Sequence, residues 1–264
     1  MKQFMKNPVF TVEEFKSFLA KRGTTGARSA ESLLAYYLKA GHVIRVKRGL
    51  YAVVPAGSDA KRYVPDPFLV AAKMAPDAVL CHHTALEWHG KAYSVFNHFT
   101  YQTTTSANGL SYNGWTFRPV KLPVPLQKKG NPDFGVLTAE RHGMDVRVAS
   151  LERTLVDVLD RPVYSGSWEE IWRSLESIEF FDLDQVVEYV CLLGKSLTAA
   201  RVGFFLEQHR DALMAEEKHF KKIEELRPKQ PSYFDWRTKS GKLNKEWNLI
   251  VPEEVLNKTW EEIL

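Results

Sequence analysis

The tightest constraint in this chain lies near its start, where a helical apolar pattern runs directly into an alternating one. Ala30, Leu33, Leu34, Tyr37 and Leu38 recur at i, i+3, i+4, i+7 and i+8, which predicts a helix beginning near Ser29 with one buried face. Gly41 supplies its stop. In residues 43–47, Ile44 and Val46 then alternate with Arg45 and Lys47, the pattern of a half-buried strand. Arg48-Gly49 is a turn, and residues 50–54 read as the returning strand. Ahead of all this, Thr11 and Glu14 have the spacing of a capping box, and Phe10 and Phe15 that of a hydrophobic staple. They predict a helix over residues 10–23, ended by Gly23 and joined to the next by a turn at Thr24-Thr25-Gly26. Helix, turn, helix, then a hairpin is the order of a winged helix-turn-helix.

Charge follows the same division. Residues 1–62 hold 12 Lys and Arg against four acids, a balance of +8, whereas the remaining 202 residues hold 24 against 28, a balance of −4. A basic head on a mildly acidic body is the asymmetry expected of a polyanion-binding module. The exposed face of the second helix carries Arg28, Ser32, Ala35, Tyr36 and Lys39, groups able to enter a major groove. Arg45, Lys47 and Arg48 on the hairpin would grip flanking phosphates; three to five such contacts imply a log K against log salt slope of about −3 to −5. The bland alternative is a small module whose basic face is merely solvated.

The expected architecture is α+β. A winged helix-turn-helix over residues 1–55 and a polar, Gly/Pro-flanked linker over 56–65 precede a larger mixed α/β domain over 66–264. Short strands are expected near residues 78–81, 96–105, 115–120, 135–138 and 144–148, with short helical stretches at 66–75 and 84–88. Helices follow at 151–159, 168–178, 183–193 and 198–213, then a charged helix end or connector at 215–227 and a strand-like stretch at 248–251. No apolar run approaches a membrane span, and residues 1–8 lack the apolar region of a signal peptide. Two cysteines, Cys81 and Cys191, make no disulfide framework, so a cytoplasmic location is expected.

Enzyme-like motifs are present but incomplete. Cys81, His82, His83 and His89 have no second Cys/His pair at zinc spacing, so no metal site is expected and the histidines read as structural. Gly166-Ser167 followed by Asp182-Leu183-Asp184 mimics a nucleotidyltransferase signature but lacks a third acid, and Asp184 stands where a helix cap is wanted. Pro132-Asp133 with Glu140-Arg141-His142 lacks the lysine of a metal-dependent nuclease. The expectation is of no catalytic residues and no cofactor. A DNA-processing enzyme and a protein-binding adaptor are the alternatives.

Four segments, VKRGLYAVVP, DPFLVAAKMAPDAVLCHHTALEWHG, VASLERTLVDVLDRP and WNLIVP, occur in an order that resembles the AbiEi-type antitoxins, predicted transcriptional regulators of abortive-infection loci. The resemblance covers most of the chain and is strongest at residues 43–55, 66–90 and 148–162. It implies a winged-helix head that binds inverted repeats in double-stranded DNA and represses its own operon. It also implies a C-terminal domain that counteracts a nucleotidyltransferase-like toxin in type IV fashion, without a stable complex. Within the third segment, Ser150 can cap a helix, Glu152 sits in its first turn, and Arg153 and Asp157 can pair four residues apart. That set reads either as a partner surface or as a polar network locking the helix in place, and capping plus pairing account for every polar member of it.

Overall fold

A computed structural model describes residues 7–23, 27–238 and 240–261. The protein is α+β, and its chain divides into two compact units. One comprises Met1–Leu80, Asn97–Lys121 and Thr138–Val148, and the other Cys81–Phe96, Leu122–Leu137 and Ala149–Leu264.

The first unit opens with strand β1 (Val9–Thr11), which the sequence reading did not anticipate. Helix α1 (Val12–Lys21) starts on Thr11, whose hydroxyl accepts from the Glu14 amide while the Glu14 carboxylate accepts from the Thr11 amide. The capping box thus stands as expected, and the Phe10 and Phe15 rings lie 5.9 Å apart in staple position. Helix α2 (Ala27–Lys39) follows; the expected turn at Thr24–Gly26 lies outside the described residues, as does the side chain of Arg28. Strands β2 (Val43–Lys47) and β3 (Leu50–Val53) form the expected hairpin, and β1 pairs antiparallel with β3 to give a sheet of order β1-β3-β2. Phe10, Phe15, Leu19, Ala30, Leu34, Val43, Tyr51 and Val53 form the core between these helices and the sheet. Residues 56–65 are turns and bends leading to α3 (Pro67–Ala72), which Asp66 caps.

Beyond α3 stands β4 (Val79–Leu80), followed by helix α4 (His83–Trp88) and then β5 (His98–Thr103), β6 (Leu110–Tyr112) and β7 (Trp115–Lys121). Helix α5 (Val124–Lys128) precedes β8 (Val136–Arg141) and β9 (Met144–Ala149). These six strands form one mixed sheet of order β6-β7-β5-β4-β9-β8, in which β5 runs parallel to β7 and β4 parallel to β9. Phe68 of α3 meets Phe99 of β5 edge-on at 5.4 Å, and Phe99 stacks on Phe117.

The second unit is mainly helical, with α6 (Leu151–Asp160), α7 (Trp168–Glu176), α8 (Leu183–Leu193), α9 (Ser196–Gln208) and α10 (Glu217–Glu224). Its core gathers Trp172, Tyr189, Phe205, Phe234 and Trp247, all nearly inaccessible to solvent. A small sheet of order β10-β12-β11 combines β10 (Ser232–Tyr233), β11 (Lys242–Asn244) and β12 (Leu249–Val251); helix α11 (Glu253–Leu256) ends the regular structure with a 3-10 turn at Thr259–Glu261. Among the described residues no helix is long and apolar enough to cross a membrane.

Candidate nucleic-acid interface

The exposed face of α2 carries the residues the periodicity places there. Ser32, Ala35, Tyr36 and Lys39 are all exposed, with Tyr36 at 62%, while Ala30 and Leu34 are buried on the opposite side. An aromatic ring so open to water at a helix surface contributes little to packing. It is available to a partner.

The hairpin is not the regular ladder that strict alternation predicts. Val43 stands opposite Val53, Ile44 opposite Ala52 and Arg45 opposite Tyr51, but Lys47 stands opposite Leu50. One residue is therefore extra on β2, which is a β-bulge. Directly opposed residues share a face of the sheet, and neighbours along a strand lie on opposite faces. Arg45 thus goes with Tyr51, and Lys47 goes with Leu50 on the other side. A groove of about 470 Å³ displays the result: Arg45, Arg48 and Tyr51 line it together with Glu31, Leu34, Ala35 and Leu38 of α2.

Lys47 points elsewhere. Its ammonium donates to the main-chain carbonyl of Met74 at 3.2 Å, just beyond α3, and burial pushes its pKa below the ordinary lysine value. The adjacent Lys73 donates to the Glu14 carboxylate of α1. The structure therefore brings Arg45 and Arg48 to the α2 side of the hairpin and ties Lys47 to α3. Among the described residues Arg45, Arg48 and Lys39 have no ion-pair partner, whereas Glu31 faces Lys16 at 4.0 Å. Sequence reasoning missed the bulge and the Met74 carbonyl: a bulge leaves no mark on residue type, and a backbone acceptor has no sequence signature.

The SLERTLVD segment is a buried knot. Ser150 caps α6 by accepting from the Arg153 amide, and Glu152 accepts from the Asp182 amide at 3.3 Å. Arg153 is wholly buried; its guanidinium donates to the Phe134 carbonyl at 2.6 Å and lies 3.5 Å from the Asp157 carboxylate. Tyr189 donates to that same carboxylate at 2.8 Å, and burial together with Asp157 drives its phenol pKa well up. Gly135, at φ +58°, lies against this knot: a Cβ there would stand 2.9 Å from that of Arg153.

The three histidines have separate surroundings. His83 lies between Glu87 at 2.9 Å and Glu170 at 3.0 Å and stacks on Phe96, and His89 meets the Ala149 carbonyl at 2.8 Å. His82 is buried at φ +52°, its ring edge-on to Tyr164 and both nitrogens without a hydrogen bond among the described residues; desolvation lowers its pKa to about 4. Among the described residues no group of three or more His, Cys, Asp or Glu is placed to hold a metal. Ser167 and Asp182 of the nucleotidyltransferase-like pattern each cap a helix, α7 and α8, so the N-cap is Asp182 and Asp184 falls inside the first turn. In the nuclease-like pattern, Arg141 is held by Asp66 at 2.6 Å and His142 sits in the turn at φ +52°.

No family model matches this chain, and no curated protein matches it. Among solved structures it is similar to the RV2827C protein from Mycobacterium tuberculosis, with a TM-score of 0.61 at 14% identity over 100% of this chain and 93% of that one. At that identity the likeness is one of fold.

Proposed function

We propose that this protein is a DNA-binding transcriptional regulator whose head, from β1 to β3, acts as a winged helix. The observation that carries the reading is the groove that the two hairpin arginines share with Glu31, Leu34, Ala35 and Leu38 of α2, Ala35 belonging also to the exposed face of that helix; among the described residues neither arginine has an ion-pair partner. In this reading Tyr36, Ser32 and Lys39 meet base edges in the major groove while Arg45 and Arg48 hold phosphates and fix register. The strand order β1-β3-β2, with two helices between β1 and β2, supports it by setting the hairpin beside α2. From the resemblance to AbiEi-type antitoxins comes the wider proposal: a cytoplasmic protein that represses its own operon at inverted repeats and counteracts a nucleotidyltransferase-like toxin through the rest of the chain. In this reading the Ser150–Asp157 knot holds α6 in place and is not a partner surface, because Ser150, Arg153 and Asp157 are buried and the half-buried Glu152 is engaged by the Asp182 amide.

A gel-shift with the DNA upstream of the coding frame tests the reading. The expected result is retardation of that duplex over a scrambled one at equal salt, with the DNA recovered intact after incubation with Mg²⁺. Equal binding to both duplexes at every salt concentration contradicts an operator-reading role, and cleavage or nucleotide transfer points to a DNA-processing enzyme.

A further inference from the structure

The bulge in β2 separates two cations that an ordinary strand would present side by side. Arg45 remains with the groove, and Lys47 is carried to the opposite face of the sheet, where its ammonium meets the Met74 carbonyl. The next contact along repeats the theme, since Lys73 holds Glu14 at the first turn of α1. Two consecutive residues after α3 therefore grip the head at two elements, the hairpin through Lys47 and the first helix through Glu14. Glu14 cannot leave this arrangement cheaply, because its carboxylate also satisfies the Thr11 amide at the start of α1.

A two-stranded hairpin is marginal by itself and takes its direction from what it packs on. Here β1 and the Val12 amide, which donates to the Gly49 carbonyl at 3.0 Å, hold the β3 side of the tip, and the Lys47 contact supplies a hold on the β2 side. Resting on the DNA-binding reading above, we propose that Lys47 is a positioning residue: it aims Arg45 and Arg48 by pinning the hairpin to the end of α3, and it makes no phosphate contact. The partial burial of Lys47 agrees with this, because its ammonium is already engaged by the Met74 carbonyl in the free protein.

Two measurements test the assignment. In the first, amine-reactive labelling of the unaltered full-length protein is followed residue by residue, with and without operator duplex. Lys47 labels slowly in both states, whereas Lys39 labels fast in the free protein and is protected by DNA. Fast labelling of Lys47 in the free protein, or strong protection of it only on binding, overturns the proposal. In the second, Lys47→Met weakens Kd about 5-fold through loss of pre-organisation, with the salt slope unchanged, and Lys47→Arg recovers most of the loss by restoring a donor. A slope shallower by about 0.9 in Lys47→Met would mean a phosphate contact, and wild-type affinity would mean no positioning role. Failure of the wild-type protein to bind any duplex sinks the regulator reading instead, while the free-protein labelling still reports on the tether.

Discussion

At the scale of single residues, His82 combines three costs: a positive φ on a non-glycine residue, full burial, and ring nitrogens with no hydrogen bond among the described residues. Desolvation is the first cause of its lowered pKa; Arg161 and Arg153 add to it, while Asp157 and Asp160 oppose it. The folded value of about 4 lies below the ordinary 6.5, so the unfolded chain takes up a proton that the folded one refuses between those limits. Stability from this group is complete above pH 6.5 and is lost as pH falls towards 4. Between pH 7 and pH 5 the loss is about 2 kcal/mol. In His82→Asn, whose side chain tolerates positive φ, urea unfolding at the two pH values should differ less than in wild type by about that amount; an unchanged difference would show that His82 is not the group titrating. Gly203 offers a second test. A Cβ there would stand 2.2 Å from the Trp247 ring, so Gly203→Ala forces two buried elements apart and should cost about 1–3 kcal/mol. A melting temperature equal to wild type would mean that Trp247 moves aside freely.

Whole elements show what residue patterns can and cannot reveal. The capping box at Thr11, the helix under Ala30 to Leu38, the hairpin after Gly41 and the cap at Ser150 are all legible, because each rests on a local periodicity or a fixed three-residue spacing. Strand β1 is not, since Val9 and Phe10 are too few to show alternation and pair with residues more than forty positions away. Lys47 shows the same limit inside an element that was found: its neighbours predict the outward face, and the bulge reverses it. At the candidate interface, the α2 face was therefore readable from spacing alone, but the split among the three hairpin cations was not. In α6 the polar residues were readable as a cap and a pair, yet their burial was not. That burial has a measurable consequence. Arg153→Met leaves the Asp157 carboxylate buried beside Tyr189 without its cation and should cost about 3–5 kcal/mol. Adding Asp157→Leu should restore much of the loss, because a buried ion pair contributes little beyond its apolar replacement. A double variant less stable than the single one would instead mean that Asp157 works mainly through Tyr189.

For the molecule as a whole, the charge asymmetry of the sequence becomes a spatial statement. Of the expected interface cations whose side chains are described, Lys47 is committed to an internal contact, whereas Lys39, Arg45 and Arg48 have no ion-pair partner among the described residues. In the proposed DNA complex the withdrawal of Lys47 leaves two hairpin cations for phosphate instead of three, which puts the salt slope at the shallow end of the expected range of about −3 to −5. The direct test is a fluorescence-anisotropy titration of the upstream duplex across a range of salt, for wild type and for the double variant Arg45→Gln, Arg48→Gln. The expected wild-type slope of log K against log salt is about −3, shallower by about 1.8 in the double variant. A double variant that keeps the full slope and affinity would contradict the claim that the hairpin arginines and α2 form the DNA-binding surface.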